Sequence, residues 1–578
     1  METGRIQDPP PAQADPRATR ILPLDGEPPP LPDLPGTPAT PDTNPQSAIR
    51  NPQSPMGRRL ALNTAIVGAA FVLSRMTGLV REAVIVGQFG LSDELDAYIA
   101  AFRLPDTLFL LIIGGAVGSA FIPVFSSLFS KGKELEAWRL ASTLINATVV
   151  LLSLGAIVLA FLAPLLVGAI LDPTGTPVQQ ATVVDLTRIM LLSPLLLGLG
   201  GWAMGILNAR QHFTLPALAP VSYNLAIIGG ALWLAPTFGV YGLAWGVVAG
   251  ALLHFAVQVP GLLRAGMRYS LRLNLRDEGA GQVGRLIVPR LLGQAAFQVN
   301  VIAMTGIANS LAAGSLAAFN TAYVIMMLPH GIFAMSLATV TFPTMSALFG
   351  EGKLDELRAT LAKAVRVLLF LTIPASVGMF ALREELVATL FQLQNFDADD
   401  TRVVASALSY FALGLAAYAV VEIVTRAFYA LHDTRTPVLI AVVTVATNVA
   451  LAGYLALGLG MSQDGLALSL AATTTLEMVL LWVYLGRKLS GWRLSSDGLF
   501  LSISKSVLAA LVMGGVLLLM MPVLRGLLPQ AGADKLEAGL LLAAGIALGG
   551  LTYLGAAKLL RSQEVEQALG IILRRFRR

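Results

Sequence analysis

The chain has 578 residues, 55% of them hydrophobic and 13% charged, with a mean hydropathy of +0.71; soluble domains carry about a quarter of charged residues. A net charge of +5, scattered over short loops, leaves no basic domain for a nucleic acid partner. The absence of cysteine excludes disulfides, thiolate metal sites and cysteine nucleophiles. The histidines, His212, His254, His330 and His432, lack metal-ligand spacing, so neither a metal nor a cofactor is expected.

Residues 1–57 are rich in proline and poor in apolar side chains. Such a segment cannot bury enough surface to offset the entropy of ordering, which predicts a disordered tail. It has no apolar core of the kind a signal peptide needs.

From Leu60 to Arg561 the chain alternates long apolar stretches with short polar breaks. A helix needs ~20 apolar residues to cross a bilayer. That length places spans near 62–88, 97–127, 138–171, 181–208, 214–235, 240–263 and 284–309. Further spans follow near 315–348, 359–391, 403–430, 437–459, 465–486, 500–524 and 537–559, about fourteen in all by the same length criterion. Gly78, Pro105, Gly114 and Gly115 predict bends in the first two. The breaks alternate in charge. One set holds Arg58 and Arg59, Lys131 and Lys133, Arg210, Arg264 to Arg276, Lys353, Arg435, Arg487 with Lys488, and the RRFRR terminus. The other set is acidic or neutral, as in SDELD (92–96) and QNFDADD (394–400); only the break at 525–537 is mixed. Positive loops stay cytoplasmic, so both termini are expected inside, which requires an even number of spans.

An internal repeat is visible. FIPVFSSLFSKGKELE (121–136) matches TFPTMSALFGEGKLDE (341–356), pairing Pro123 with Pro343 and Lys133 with Lys353. Both segments follow a span of the same direction, the second and the eighth, so the two halves run in the same sense. The expected architecture is all-α and polytopic. It comprises two pseudo-symmetric six-helix lobes, 58–275 and 276–490, followed by 491–578 with two more helices and a basic tail.

Charges inside spans are costly, at ~2.5–3.5 kcal/mol for Arg or Asp at a helix centre. They normally face a bundle interior or a wet cavity. Arg75, Arg81, Asp96 and Arg103 fall within or at the edge of the first two spans. Asp96 and Arg103, seven residues apart, share a helix face. Arg75 and Arg81 lie about 120° apart on a straight helix, and a bend near Gly78 brings both to one cavity. Arg290, Glu422 and Arg426 are further candidate cavity charges. Glu422 and Arg426, at i, i+4, have the spacing to pair with each other. Arg188 and Arg383 lie closer to span ends, where interfacial snorkelling accounts for them.

The run NTAIVGAAFVLSRMTGLVREAVIVGQFG, followed by DAYIAAFRLPDTLF (63–109), resembles the opening of the MurJ/MviN family of lipid II flippases. The family's SR…GxxR[DE]…FG…DA[FY]…F[RK]LP pattern is met by Ser74-Arg75, Gly78, Arg81-Glu82, Phe89-Gly90, Asp96-Ala97-Tyr98 and Phe102-Arg103-Leu104-Pro105. SAFIPVF (119–125), GILNARQHFTLPALAPVSYN (205–224) and FYALHDTRTPV (428–438) match as well. The resemblance implies the multidrug/oligosaccharidyl-lipid/polysaccharide exporter fold, with two lobes around a central cavity and a groove for a polyprenyl tail made by the last two helices. It also implies that Arg75 and Arg81 meet a diphosphate, with Asp96 and Arg103 at the family's positions in the second helix. The chain departs from the family elsewhere. Phe109, Leu110 and Gly114 stand where many relatives carry two arginines and a glutamate, and NTAYVIMMLP (320–329) lacks an arginine found in the eighth helix of many relatives. Met304 and Ala452 stand where some relatives use acids for sodium, so sodium is not carried over.

The function so implied is not enzymatic. It is alternating-access movement of lipid II, an undecaprenyl-diphosphate-linked muropeptide, across the bacterial inner membrane, with membrane lipid and cell-wall synthesis enzymes as further partners. No GxxxxGK[ST] is present, so the drive comes from an ion gradient or the membrane potential. Three alternatives stay open on the sequence. The cargo is another polyprenyl-diphosphate glycan or a drug exchanged for a cation; the protein is a membrane enzyme acting on polyprenyl substrates; or it is a scaffold that recruits cell-wall enzymes through its proline-rich tail.

Overall fold

The computed structural model describes residues 55–114, 121–271, 273–274, 278–489, 498–527 and 535–566; the side chains of 55–67, 278, 280, 282 and 286–293 are outside the description. The predicted tail lies almost wholly outside it. The chain divides into 1–62 and 63–578, and the contacts below are those of the second unit.

Every described element is helical. In chain order these are α1 (Pro55–Phe89), α2 (Asp93–Ile112), α3 (Ile122–Ser130), α4 (Glu134–Leu166), α5 (Pro177–Met190), α6 (Leu192–Ala209), α7 (Thr214–Gly229), α8 (Ala235–Phe238), α9 (Val240–Ala256) and α10 (Val259–Arg264). The second half continues with α11 (Glu278–Asn309), α12 (Ser315–Pro329), α13 (Ser336–Gly350), α14 (Leu354–Ala381), α15 (Arg383–Phe391), α16 (Ala398–Ala430), α17 (Arg435–Gly453) and α18 (Ser462–Lys488). The chain then adds α19 (Leu499–Leu527) and α20 (Lys535–Leu559). Among the described residues, 11 helical runs are long and apolar enough to cross a membrane. The predicted first, second and seventh spans fall on α1, α2 and α11, outside those 11; α2 carries Asp93, Glu94, Asp96, Arg103 and Asp106. α1 runs unbroken through Gly78, where the sequence predicts a bend.

The internal repeat extends to backbone detail. Gly132 and Gly352 both have φ of +73°, a conformation open to glycine at little cost. Each sits in a turn closed by the next lysine, whose N–H donates to Leu128 and Leu348 respectively, at 3.0 and 2.9 Å. A second pair of turns places Gln211 and His432 at φ of +59° and +57°. His212 N–H then donates to Leu207 O and Asp433 N–H to Phe428 O. π-helical turns also recur, at Gly230–Leu234 and Tyr454–Gly458.

The cores show how the halves meet. At the acidic-loop end, one cluster draws Ile85, Leu95, Leu104 and Leu171 from the first half together with Leu316, Phe319, Val404 and Phe411 from the second. Towards the basic-loop end the cores are separate. Phe121, Phe125, Trp138 and Trp202 form one in the first half, and Leu357, Leu361, Phe428 and Leu485 another in the second. Burial of apolar area supplies the main cohesive term, so the halves are joined at the acidic-loop end. The last two helices pack on the second half through Phe370, Leu382, Met513 and Tyr553. The mixed charge of the 525–537 break has a local cause: Arg525, in the last turn of α19, pairs with Glu384 at 3.3 Å and also with the buried Glu385.

Candidate functional site

The seam between the halves is polar where α1 and α2 cross it. Arg81 donates to Asn224 Oδ1 of α7 at 3.1 Å, and its other terminal nitrogen lies 3.7 Å from Glu82. Glu82 accepts from Asn320 Nδ2 of α12 at 3.1 Å. Asn320 Oδ1 in turn accepts from Arg103 at 3.3 Å, and Arg103 Nε donates to Thr305 of α11 at 3.0 Å. One chain of hydrogen bonds and an ion pair therefore runs from α7 through α1, α12 and α2 to α11, binding the first half to the second. Gln298 of α11 adds a donor to Thr107 of α2 at 3.1 Å. Charge-assisted bonds of this type are the stronger ones, and the guanidinium fork suits several acceptors at once.

Asp96 has a different role. It is buried, and its two oxygens accept from the backbone N–H groups of Gly314 at 2.8 Å and Ala317 at 2.7 Å. Gly314 is the N-cap of α12 and has no side chain of its own to satisfy the first turn. The orphan donors of that helix are thus capped from the opposite half by a carboxylate at the positive end of the helix dipole. The shared face of Asp96 and Arg103 is the one that meets the second half. A third tie lies close by: the N–H of Asn395 donates to Gly87 O at 2.9 Å, its side-chain amide to Gln88 O at 2.6 Å, and the N–H of Leu91 to Asp400 at 3.3 Å. A Cβ on Gly87 would come within 2.9 Å of the Leu393 Cβ, so this seam needs a glycine.

Of the predicted residues, the structure brings Arg81 and Arg103 into one network and Asp96 to the start of α12. Arg75 stands apart. It is exposed, with its guanidinium over the Phe71 ring at 5.3 Å, and among the described residues it has no ion pair. Glu422 and Arg426 pair at 2.7 Å, and Arg426 also donates to Thr339 of α13 at 2.8 Å. Arg290 is on α11, and its side chain lies outside the described residues. Sequence reasoning missed Glu82, Asn224, Thr305 and Asn320 as members of this network. Glu82 could have been found as an acid inside an apolar span; the neutral amides and hydroxyls carry no signal beyond their position.

Met304 lies in a buried cluster with Asn300, Asn448 and Thr473. Asn448 Nδ2 donates to Asn300 Oδ1 at 2.9 Å and lies 3.3 Å from Met304 Sδ, and Thr473 donates to Asn448 Oδ1 at 3.2 Å. Ala452 is buried one turn along α17. A thioether, amides and a hydroxyl without a carboxylate are a poor donor set for a hard cation such as sodium.

The family model described as lipid II flippase MurJ matches residues 85–528. The chain belongs to the MurJ lipid II flippase family. A lipid II flippase MurJ of Burkholderia cenocepacia is 34% identical over 77% of this chain and 87% of its own length. A probable lipid II flippase MurJ of Thermotoga maritima is 29% identical over 86% and 96%. Among solved structures, lipid II flippase MurJ in an inward closed conformation aligns with a TM-score of 0.71 at 22% identity, covering 86% of this chain and 98% of that one. An inward-facing multidrug transporter of the MATE family aligns at 0.61 and 16% identity, over 73% and 96%. The fold is that of these membrane transporters, and the protein is a polytopic membrane protein.

Proposed function

We propose that this protein flips lipid II from the cytoplasmic to the outer leaflet of the bacterial inner membrane by alternating access. In this reading 58–275 and 276–490 are two six-helix lobes, 491–578 adds two helices, fourteen spans cross the membrane, and both termini are cytoplasmic. The acidic-loop end then faces outward, and the conformation described is closed outside. The observation that carries the reading is the chain from Asn224 through Arg81, Glu82, Asn320 and Arg103 to Thr305, which spans the seam between the halves.

An unpaired anion in hydrocarbon is prohibitive, so a diphosphate needs cations along its path. Arg75, which has no acid partner among the described residues, offers the first contact. Arg81 and Arg103 are held by neutral amides, a hydroxyl and one carboxylate. A diphosphate entering the seam competes for those same guanidinium donors. Its binding therefore weakens the outer closure, which couples headgroup binding to opening. Work on the charge comes from the membrane potential, at ~2.3 kcal/mol per charge per 100 mV. Nothing in this cycle requires a catalytic step.

Complementation of a bacterium depleted of its own flippase tests the reading. Lipid II exposed on the outer leaflet is measured alongside growth. Growth and exposure restored by this chain, and lost on Arg103→Ala with normal membrane levels, are expected. Membrane insertion without any lipid II exposure would refute it.

A further inference from the structure

Glu477 lies on α18 and has no hydrogen bond to the seam network among the described residues. It is fifteen residues from Ser462 and eleven from Lys488, hence ~22 and ~16 Å from the two helix ends at 1.5 Å per residue. In a hydrocarbon layer ~30 Å thick that is the middle. The side chain is half-buried. Among the described residues it has no ion pair.

Its immediate partners are uncharged. The Thr444 hydroxyl of α17 lies beside the carboxyl, and Tyr418 of α16 is nearby. The Thr444 hydroxyl spends its single proton on the Ala441 carbonyl at 3.1 Å. Among the described residues, the surrounding elements place no cation in contact with it. On α16, Arg426 is committed to Glu422 and Thr339, and Glu422 acts on His330, the π-turn histidine whose Nδ1 has no partner. From α12 the facing titratable group is Tyr323, beside Tyr418, with Arg103 of α2 on its other side, already held by Thr305 and Asn320. The charge on α17 is Arg435, at its far end, and Tyr454 of the π turn that follows is exposed. On α11, Arg285 is exposed near the start of the helix, and the side chains of Glu278 and Arg290 lie outside the described residues. On α18 itself, Asp464 bonds Ser406 at one end and Arg487 and Lys488 occupy the other.

An acid at this depth without a cation escapes its solvation penalty by binding a proton. We propose that Glu477 is a proton-binding site coupled to the transport cycle, holding a proton while the acidic-loop end is closed and exchanging it with water as the halves move. The inference rests on the transport reading above for its role, but not for its chemistry. The step is simple ionisation: a carboxylate gains one proton from water, and the acid returns it, with no redox partner.

The test uses the full chain in lipid nanodiscs and three readouts. Infrared difference spectra across a pH titration report a protonated carboxylic acid band. Spin-label distances between Val178→Cys and Asp399→Cys, both exposed sites in a chain without native cysteine, report opening. Lipid II flipping in proteoliposomes under an imposed pH gradient reports coupling. Glu477→Gln, which has the shape of the neutral acid, is expected to remove the titrating band. It should also abolish the pH dependence of the distance and lower gradient-driven flipping at least tenfold. Thr444→Val, which keeps the packing and removes the neighbouring hydroxyl, is expected to shift the band. An unchanged band and an unchanged pH response in Glu477→Gln would overturn the proposal. If the wild-type chain flips no lipid II yet shows the band and the pH-dependent distance, the proton site stands and the cargo reading falls.

Discussion

Asp96→Asn tests the cap across the seam. The carboxylate accepts from the N–H groups of Gly314 and Ala317 at 2.8 and 2.7 Å, and both donors belong to the start of a helix in the other half. An asparagine offers one carbonyl oxygen and turns an NH₂ group towards the second donor, so one of the two bonds is lost. A hydrogen bond to a charged group contributes ~1.5–3 kcal/mol, and the lost favourable contact with the helix dipole adds ~0.3–1 kcal/mol. Since ~1.4 kcal/mol is a factor of ten, the closed state should lose roughly twenty- to several-hundred-fold in population relative to open. A protein ~99% closed would move to an approximately even mixture at the middle of that range. The assay is the inter-half distance between spin labels at positions 178 and 399, measured with and without the substitution. A second, longer distance is expected in Asp96→Asn. The variant should also remain in the membrane, because the bonds lost lie between halves and not within one. An unchanged distance distribution would refute the idea that Asp96 holds the acidic-loop end shut.

Arg75→Ala should abolish lipid II export at normal membrane levels, and Arg75→Lys should restore only part of it, since an ammonium lacks the bidentate fork; full export by Arg75→Ala, measured as lipid II on the outer leaflet, would remove this residue from the substrate path. Orientation is tested with an impermeant maleimide on intact cells, where a cysteine at Asp399 should react and one at Thr434 should not. Asp433 tests a cap on the opposite end of the second half. It accepts from the N–H groups of Arg435 and Thr436 and from Lys488 at 2.5 Å. Burial raises its pKa, but the Lys488 and Thr436 hydrogen bonds overcome this and hold the carboxyl down at about 2. A group depressed from ~3.9 in the unfolded chain contributes its stabilisation above that value and loses it as pH falls through about 2. Asp433→Asn should therefore lower the thermal midpoint at pH 7, and the difference from wild type should shrink between about pH 4 and pH 2; a difference that does not depend on pH would refute the assignment.

The helices were legible because bilayer thickness imposes a length and loop charge imposes an alternation. The expected breaks at Lys131–Lys133, Arg210 and Lys353 all fall at turns between helices. The repeat was legible for a local reason. Gly132 and Gly352 need positive φ, and a glycine before a lysine at matching positions is visible in one dimension. The site was legible only in its charges. An arginine inside a span demands an explanation whatever surrounds it, so Arg81 and Arg103 stood out. Their partners did not, because Asn224, Asn320 and Thr305 are unremarkable residues whose relevance comes from meeting across 143 to 217 positions of chain.

Asp96 shows the limit most clearly. Its position and charge marked it as functional, and its spacing from Arg103 placed both on one face. Spacing could not reveal that this face meets a helix N-terminus rather than a cavity. That depends on Gly314, which lacks a side chain to cap its own helix and so leaves two N–H groups for the opposite half. The two residues act as a unit: a side chain at Gly314 would meet Leu91 at 2.6 Å, and a neutral side chain at Asp96 leaves a donor unpaired. Closure at this end is therefore made from a backbone requirement in one half and a charge requirement in the other. The same division explains how it can open. The donors released are main-chain N–H groups at a helix start, which water can satisfy at little cost once the seam admits it. The carboxylate freed is equally easy to hydrate. A seam built from buried apolar contacts alone would have no such low-cost open state.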